Sequence, residues 1–418
     1  LSWRSFIEGF SSMANADHFS ICGGNVLLPQ GLCQTDLVIE GGLISQSGSA
    51  HSHGNVIDAT GLYVLPGIID LHGDAFERQI MPRPGVHFDL QLALADTDRQ
   101  MVSNGISTAY HGVTYSWEPG LRSRGSLLGI MDALSDAAEF LACDTRLHLR
   151  HETFNLDAES EIMDWLAVGK IDFLAFNDHT SDILRKLSQP KDAMIVLQRS
   201  GLELRALSEL AERVSARSEE VSPSIARIAA AAVAAGVPQA SHDDPSPETR
   251  HWYQAMGCDI SEFPKTRETA VLARQLGNHV VFGAPNVVRG GSHQRNSVSA
   301  AAMAKDGLCT VLTSDYYYPA MLPAAFRLSN DGVCAFPEAW AMVSSNPAEA
   351  AGLKDRGSLT PGMRADILLV KESQGRAPLV VAHLIGGQVA YAVTGSRATL
   401  FTDRHESGLD ALRTAVAG

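Results

Sequence analysis

Two kinds of periodicity divide the chain. From about Phe19 to Val64 the apolar residues come in short runs broken by turn residues, as in FSICGGNVLLP, TDLVIEGGLISQSG and NVIDATGLYVLP. The same texture returns near the other end in DRGSLTPGMRADILLV and PLVVAHLIGGQVAYAV. Such runs read as strands joined by tight turns, with Pro361-Gly362 as a turn and 365–370 as a strand. Between these flanks, apolar runs alternate with stretches of helical spacing. The candidate strands are GIIDLH, GISTAYHG, TRLHLRHE, IDFLAFNDH, GVPQASHDD, GCDISEFP, NHVVFGAPN and LCTVLTSDY. Stretches such as SLLGIMDALSDAAEFLA, SIARIAAAAVAAG and TRETAVLARQLG separate them and end near glycine. Eight strands alternating with helices predict an α/β fold, a parallel (β/α)8 TIM-like barrel. The two β-rich flanks predict a small β-sandwich built from both termini. The expected boundaries are 19–64 plus 357–401 for the sandwich and 65–356 for the barrel. Residues 1–18 are expected to form a disordered extension and 402–418 a C-terminal segment. ALSELAERVSARSEE reads as a strongly charged helix.

Composition narrows the function classes. At 418 residues with 45% hydrophobic and 19% charged, the chain has ample core material and no signature of disorder. A formal net charge of −14 gives no basic footprint for nucleic acid. Any anionic substrate therefore needs its own local cluster of donors. The six cysteines (Cys22, Cys33, Cys143, Cys258, Cys309 and Cys334) are scattered without a CxxC, which predicts free thiols in a reducing cytoplasm. No window approaches a membrane span and no h-region opens the chain, so a cytoplasmic protein without membrane contact is expected. The composition neither requires nor excludes a homo-oligomer.

The ends of the eight candidate strands carry the chemistry. Barrels of this kind keep their active sites where the C-terminal strand ends meet. His72 and Asp74 end the first strand, one residue apart and so on one side of an extended chain. Glu152 ends the third, His179 the fourth, His242 the fifth and Asp315 the eighth. Three imidazoles and three carboxylates form a nitrogen and oxygen donor set suited to Zn2+ or a similar divalent ion. Six such groups at one barrel mouth would be costly to desolvate without a cation. His111, His148 and His151, also near strand ends, read as supporting or core histidines, and Glu152 is preferred to His151 because a carboxylate can bridge two ions.

LPGIIDLHGD, the distant histidines, a late TSDYY and a terminal LTPGMRADILLV together resemble the metal-dependent amidohydrolase superfamily, over nearly the whole chain. More narrowly, MPRPGV, HLRHE, NDHT, ASHDD, SEFPKT, GAPNVVRGGSH and SDYYYP resemble the ribose methylphosphonate triphosphate diphosphatase family of the carbon-phosphorus lyase pathway. The resemblance implies a barrel with a small sandwich and one or two divalent ions, Zn or Mn. It also implies a small phosphorylated substrate, whose 5-triphosphate is hydrolysed to a 5-phosphate and pyrophosphate. It makes Asp315 the general base, since this superfamily keeps at the last strand the carboxylate that takes a proton from water. The chain departs from the superfamily in two ways: His72-Gly73-Asp74 stands where His-X-His is usual, and the sixth strand offers Glu262 rather than histidine.

A polyanion needs donors, and GAPNVVRGGSH offers them after the seventh strand, where barrels often bind phosphate. Arg289 supplies a fork, Gly290 and Gly291 backbone N–H groups, and Ser292 and His293 side-chain donors. Arg83 and Lys265 are second-rank anion ligands. The competing reading is a hydrolase of the same superfamily acting on a C–N bond, a cyclic amide or an aminated base, which has no use for such a loop.

Overall fold

The computed structural model describes residues 18–48, 55–291, 298–373, 375–393 and 401–403. The expected extension 1–18 lies outside them except for His18, which opens a strand, and so does the segment 402–418 beyond Asp403. Two compact units emerge. One holds the described residues up to Ile68, Val102–Ser107, and those from Leu353 onward; the other holds Ile69–Met101 and Thr108–Gly352.

The first unit is a β-sandwich. A five-stranded sheet runs in the order Phe401–Asp403, Asn55–Asp58, His18–Cys22, Asp36–Glu40, Leu43–Gly48. A six-stranded sheet runs Gln388–Ala392, Leu379–Ile385, Ile367–Lys371, Tyr63–Pro66, Asn25–Leu28, Gly31–Gln34. Ile21, Leu37, Ile39 and Ile57 of one meet Val26, Val64, Ile367 and Leu384 of the other in a common core. Both chain ends contribute because Ile367–Lys371 pairs antiparallel with Tyr63–Pro66. Gly386 and Gly387, at φ 57° and 77°, close the hairpin between Leu379–Ile385 and Gln388–Ala392. Two positive φ values in a two-residue turn match the right-handed twist of the strands, and glycine takes them without strain.

The second unit is built on the barrel, and all eight anticipated strands form: β1 Ile68–Gly73, β2 Ile106–Tyr115, β3 Asp144–Glu152, β4 Phe173–Asn177, β5 Gln239–His242, β6 Ile260–Glu262, β7 His279–Gly283 and β8 Val311–Thr313. They lie side by side in chain order. The ring closes through the backbone of three candidate site residues: Asp315 N–H donates to His72 O at 2.9 Å and Asp74 N–H to Asp315 O at 2.9 Å. All ten residues of β2 are buried, which is why these strands read as continuous apolar runs rather than as alternation. Outward-facing Leu147, Leu149, Leu174 and Phe176 pack with Leu127, Ile130, Ile162 and Ile228 of the surrounding helices.

Between β4 and β5, where one helix would suffice, the chain forms four: Thr180–Leu187, Pro190–Ser200, Leu204–Ser215 and Ser218–Ala235. The first three enclose a core of their own around Ile183, Leu187, Val196, Leu207 and Ala211. The charged run 206–220 is divided between two helices rather than forming one: Leu204–Ser215 buries Leu207 and Ala211 and leaves the Arg205–Glu209 pair in solvent, and Ser218–Glu220 open the next helix.

Candidate active site

The alternation of side chains along the strands sets the depth of each group. On β1, Asp70, His72 and Asp74 share one face. Asp70 lies deepest, accepting from Thr313 Oγ1 at 2.5 Å and Ser314 N at 2.9 Å, and so ties β1 to β8. On β3, His148, Arg150 and Glu152 point inward while Leu147, Leu149 and His151 face the helices. This explains why only one side of HLRHE reaches the mouth. The pairing of β5 with β6 puts His242 directly beside Glu262, and that of β3 with β4 puts Glu152 beside Asn177.

At the centre, His72 Nδ1 lies 3.2 Å from both Glu262 carboxylate oxygens and His242 Nδ1 lies 3.2 Å from Oε2. The two rings stack at 5.4 Å, and Phe263 meets each edge-on at 5.2 Å. Burial, reinforced by the Arg150 charge, holds both imidazoles well below their ordinary pKa and therefore neutral. Glu152 works one step removed. It accepts from His179 Nδ1 at 2.6 Å and from His179 N at 3.0 Å. Burial works against its charge, but these contacts outweigh it and hold the carboxyl at about 2. The Nδ1 bond leaves Nε2 as the lone-pair nitrogen of His179.

Two donor groups are close enough to share an ion: His72, His242 and Glu262 in one, His179, His242 and Asp243 in the other. His242 belongs to both. His148 donates through Nδ1 to Leu71 O at 2.9 Å, so its buried Nε2 carries a lone pair with no partner, 4.0 Å from Glu262. Neutral imidazoles, an orphaned inward nitrogen and adjacent carboxylates fit a divalent cation. Asp74 and Asp315 stand beside these groups. Burial lifts Asp74 to about 6 against the pull of Arg150, whose Nη1 is 3.3 Å away. Burial and the neighbouring Asp74 charge lift Asp315 to about 8. Asp243, Phe263 and Asp315 are the only non-glycine residues at positive φ among the described residues (63°, 52° and 54°). All three follow barrel strands and line the mouth. Such backbones cost on the order of 1–3 kcal/mol each and persist where surrounding contacts over-determine them.

The mouth opens into a cavity of about 320 Å³ lined by His72, Asp74, His179, His242, Asp243 and Asp315 together with Arg122, Arg150, Lys186, Arg199 and Lys265. The loop after β7 departs from expectation. Arg289 ends the short helix Ala284–Arg289, is exposed, and bonds Tyr316 Oη at 3.3 Å without lining the cavity. Gly290 and Gly291 donate their N–H groups to Val287 O and Asn286 O, capping that helix, so the expected phosphate donors are already engaged. Ser292 and His293 lie outside the described residues. Arg83 is exposed and also outside the lining, whereas Lys265 lines it, 3.4 Å from Asp243.

Several residues escaped the sequence reading. Asp70 was findable, since it extends the same two-residue spacing as His72 and Asp74. Asp243 follows His242 in ASHDD but reaches the mouth only through its left-handed backbone. Arg122, Lys186 and Arg199 come from a loop and from the extra helices, where strand periodicity gives no signal.

No family model matches the chain. The chain is 32% identical, over 79% of its length and 91% of the relative's, to the alpha-D-ribose 1-methylphosphonate 5-triphosphate diphosphatase of Escherichia coli (strain K12). Among solved structures it is similar to an amidohydrolase (TM-score 0.60, 16% identity, 90% of this chain and 100% of that one). It is likewise similar to the dihydropyrimidinase of Brevibacillus agri NCHU1002 (TM-score 0.57, 14% identity, 90% and 95%). A Xaa-Pro dipeptidase with bound methionine aligns at a TM-score of 0.62 with 13% identity (90% and 100%).

Proposed function

The chain belongs to the family of the alpha-D-ribose 1-methylphosphonate 5-triphosphate diphosphatase, within the amidohydrolase superfamily, and from that premise we propose that it is a metal-dependent hydrolase of phosphonate metabolism that splits this triphosphate into the 5-phosphate and pyrophosphate. The observation that carries the reading is the cavity lining, where an imidazole and carboxylate cluster sits beside five cationic side chains. That combination suits a polyanion that approaches a bound cation. Each of these cations is held by a carboxylate of the chain and keeps further N–H donors, for which an uncharged cyclic amide would have little use.

In this reading His72, His242 and Glu262, with His179 and Asp243 adjoining, hold one or two ions, Zn2+ or Mn2+. Asp74 adds negative charge beside them. A divalent ion, when bound, lowers the pKa of a water and neutralises charge on phosphoryl oxygens. Asp315 takes the proton from the attacking water: its backbone is bonded to β1 through both N–H and C=O, and its carboxyl is more basic than an ordinary one. The water oxygen bonds to phosphorus as the anhydride between the α- and β-phosphates breaks, and the electron pair leaves with pyrophosphate. Glu152 fixes the His179 ring. Lys265, which lines the cavity, adds positive charge beside the substrate.

The test is a panel of substrates offered to the protein with Zn2+ or Mn2+, with quenched products read by phosphorus NMR. Pyrophosphate and a 5-phosphate are expected from the ribose phosphonate triphosphate. Ammonia or ring-opened product from cyclic amides, with no pyrophosphate from any triphosphate, would transfer the assignment to C–N hydrolysis.

A further inference from the structure

We propose that Arg122 and Arg199 form a built cradle for the two terminal phosphates of a triphosphate ester, so that the loop after β2 and the helix Pro190–Ser200 select the pyrophosphate leaving group. The inference rests on the phosphohydrolase reading and gives that site its specificity element.

Charge accounting within the cavity singles out these two side chains. Of the five lining cations, three face acids that line the same cavity: Arg150 pairs with Asp74 at 3.3 Å, Lys186 with Asp182 at 2.6 Å and Lys265 with Asp243 at 3.4 Å. Arg122 and Arg199 differ. Arg122 donates through Nε and Nη2 to the two oxygens of Glu77, each at 3.2 Å. Arg199 donates through Nη2 to both oxygens of Glu118, at 2.6 and 2.7 Å. Neither Glu77 nor Glu118 lines the cavity. Their carboxylates therefore fix the guanidinium groups from behind the lining, without occupying the cavity themselves, and Arg199 Nε is buried with no hydrogen-bond partner.

The two arms are also fixed to each other. Gly120, between Glu118 and Arg122, has φ +81°, and a Cβ there would stand 2.3 Å from Arg199 O. Only glycine lets the end of the helix close on the loop in this way. Trp117 Nε1 donates to Thr180 Oγ1 at 3.1 Å, which ties the loop to the neighbouring helix Thr180–Leu187, and Ser116 N to Arg122 O at 2.9 Å, which closes the loop on itself. A triphosphate whose reacting phosphate lies at the imidazole cluster has two further phosphates to place. Two pre-oriented planar forks match them, and the lysine pairs of the same lining do not.

Calorimetric titration of the zinc-loaded full chain with inorganic pyrophosphate and with orthophosphate tests the cradle. The wild type should prefer pyrophosphate by about tenfold or more. Arg122→Ala and Arg199→Ala should each lose roughly 10- to 100-fold in pyrophosphate affinity, the scale of a charge-assisted contact, and less than about threefold for orthophosphate. Arg199→Lys should recover only part, since a point charge lacks the fork; it also serves if the alanine variant does not fold. Arg205→Ala, the same charge change on a side chain 90% exposed, should alter neither affinity. Pyrophosphate affinity within threefold of wild type in both arginine variants, or equal losses for both anions, overturns the cradle. If the wild type binds pyrophosphate as described yet releases none from any triphosphate ester, the hydrolase reading fails and the cradle stands.

Discussion

At the floor of the barrel mouth, His72, His242 and Glu262 hold one another, and each is in turn fixed by strands whose residues are buried on both sides. At its wall, Arg122, Lys186 and Arg199 project from a loop and from extra helices, and reach carboxylates that range from buried Glu118 to half-exposed Asp182. The floor is a set of donors with too little positive charge of its own, so its stability is coupled to a cation. The wall is a set of cations, each held by a carboxylate of the chain, with N–H donors left over for an anion. Ionic strength should discriminate between them, because screening weakens the half-exposed Lys186–Asp182 pair of the wall far more than the buried contacts of the floor.

The largest expected effect comes from the residue shared by both donor groups of the floor. His242→Ala should lose bound zinc by elemental analysis and reduce turnover by about 10^3-fold or more, since several kcal/mol of charge stabilisation leave with the ion. Full metal content in that variant would mean that the floor is a hydrogen-bonded histidine core. Asp315→Asn should retain metal and fold but lose roughly 10^2- to 10^4-fold in kcat, the usual contribution of a general base. Glu152→Gln, acting only through the His179 ring, should cost about 10- to 100-fold in metal affinity, with a smaller loss of activity at saturating metal.

The pH behaviour of the metal-free protein sharpens the comparison further. Asp315, with a carboxyl raised to about 8, binds a proton in the folded chain over a range where the unfolded chain has released it. Between the ordinary carboxylate range and pH 8 the folded state therefore holds more protons, and stability falls as pH rises through that window. The melting temperature of the chelator-treated protein should drop from pH 6 to pH 8, and added zinc should reverse the drop. Its apparent zinc affinity should rise over the same interval, because the ion competes with protons. A melting temperature that is flat across this range would place the Asp315 carboxyl in an ordinary, solvated environment.

The same contrast explains how much was readable in the chain. The barrel was legible because doubly buried parallel strands must be continuous apolar runs, and eight such runs separated by helical spacing have few other solutions. The convergence of His72, Asp74, His179, His242 and Asp315 on one cavity was legible because each stands at or just beyond the end of such a run. What strand ends do not reveal is pairing. The contact of Glu262 with both His72 and His242 follows from the order of β1, β5 and β6 around the ring, and the diversion of Glu152 onto His179 follows from the β3–β4 register. The wall was not legible at all: Arg199 lies two helices beyond β4, and its partner Glu118 lies in a loop more than a barrel strand away in sequence. RGGSH, by contrast, looked like a phosphate loop because a glycine pair that caps a helix and one that cradles an anion have the same letters. Only the destination of the Gly290 and Gly291 N–H groups separates the two.

The most direct test of the floor is an anomalous-scattering map, at the zinc absorption edge, of crystals grown from the zinc-loaded protein. The arrangement described here predicts a peak about 2.0–2.2 Å from nitrogen or oxygen donors of His72, His242 and Glu262, or of His179, His242 and Asp243, the usual zinc coordination distances. A fully loaded protein whose peaks lie away from all five of these residues would contradict it.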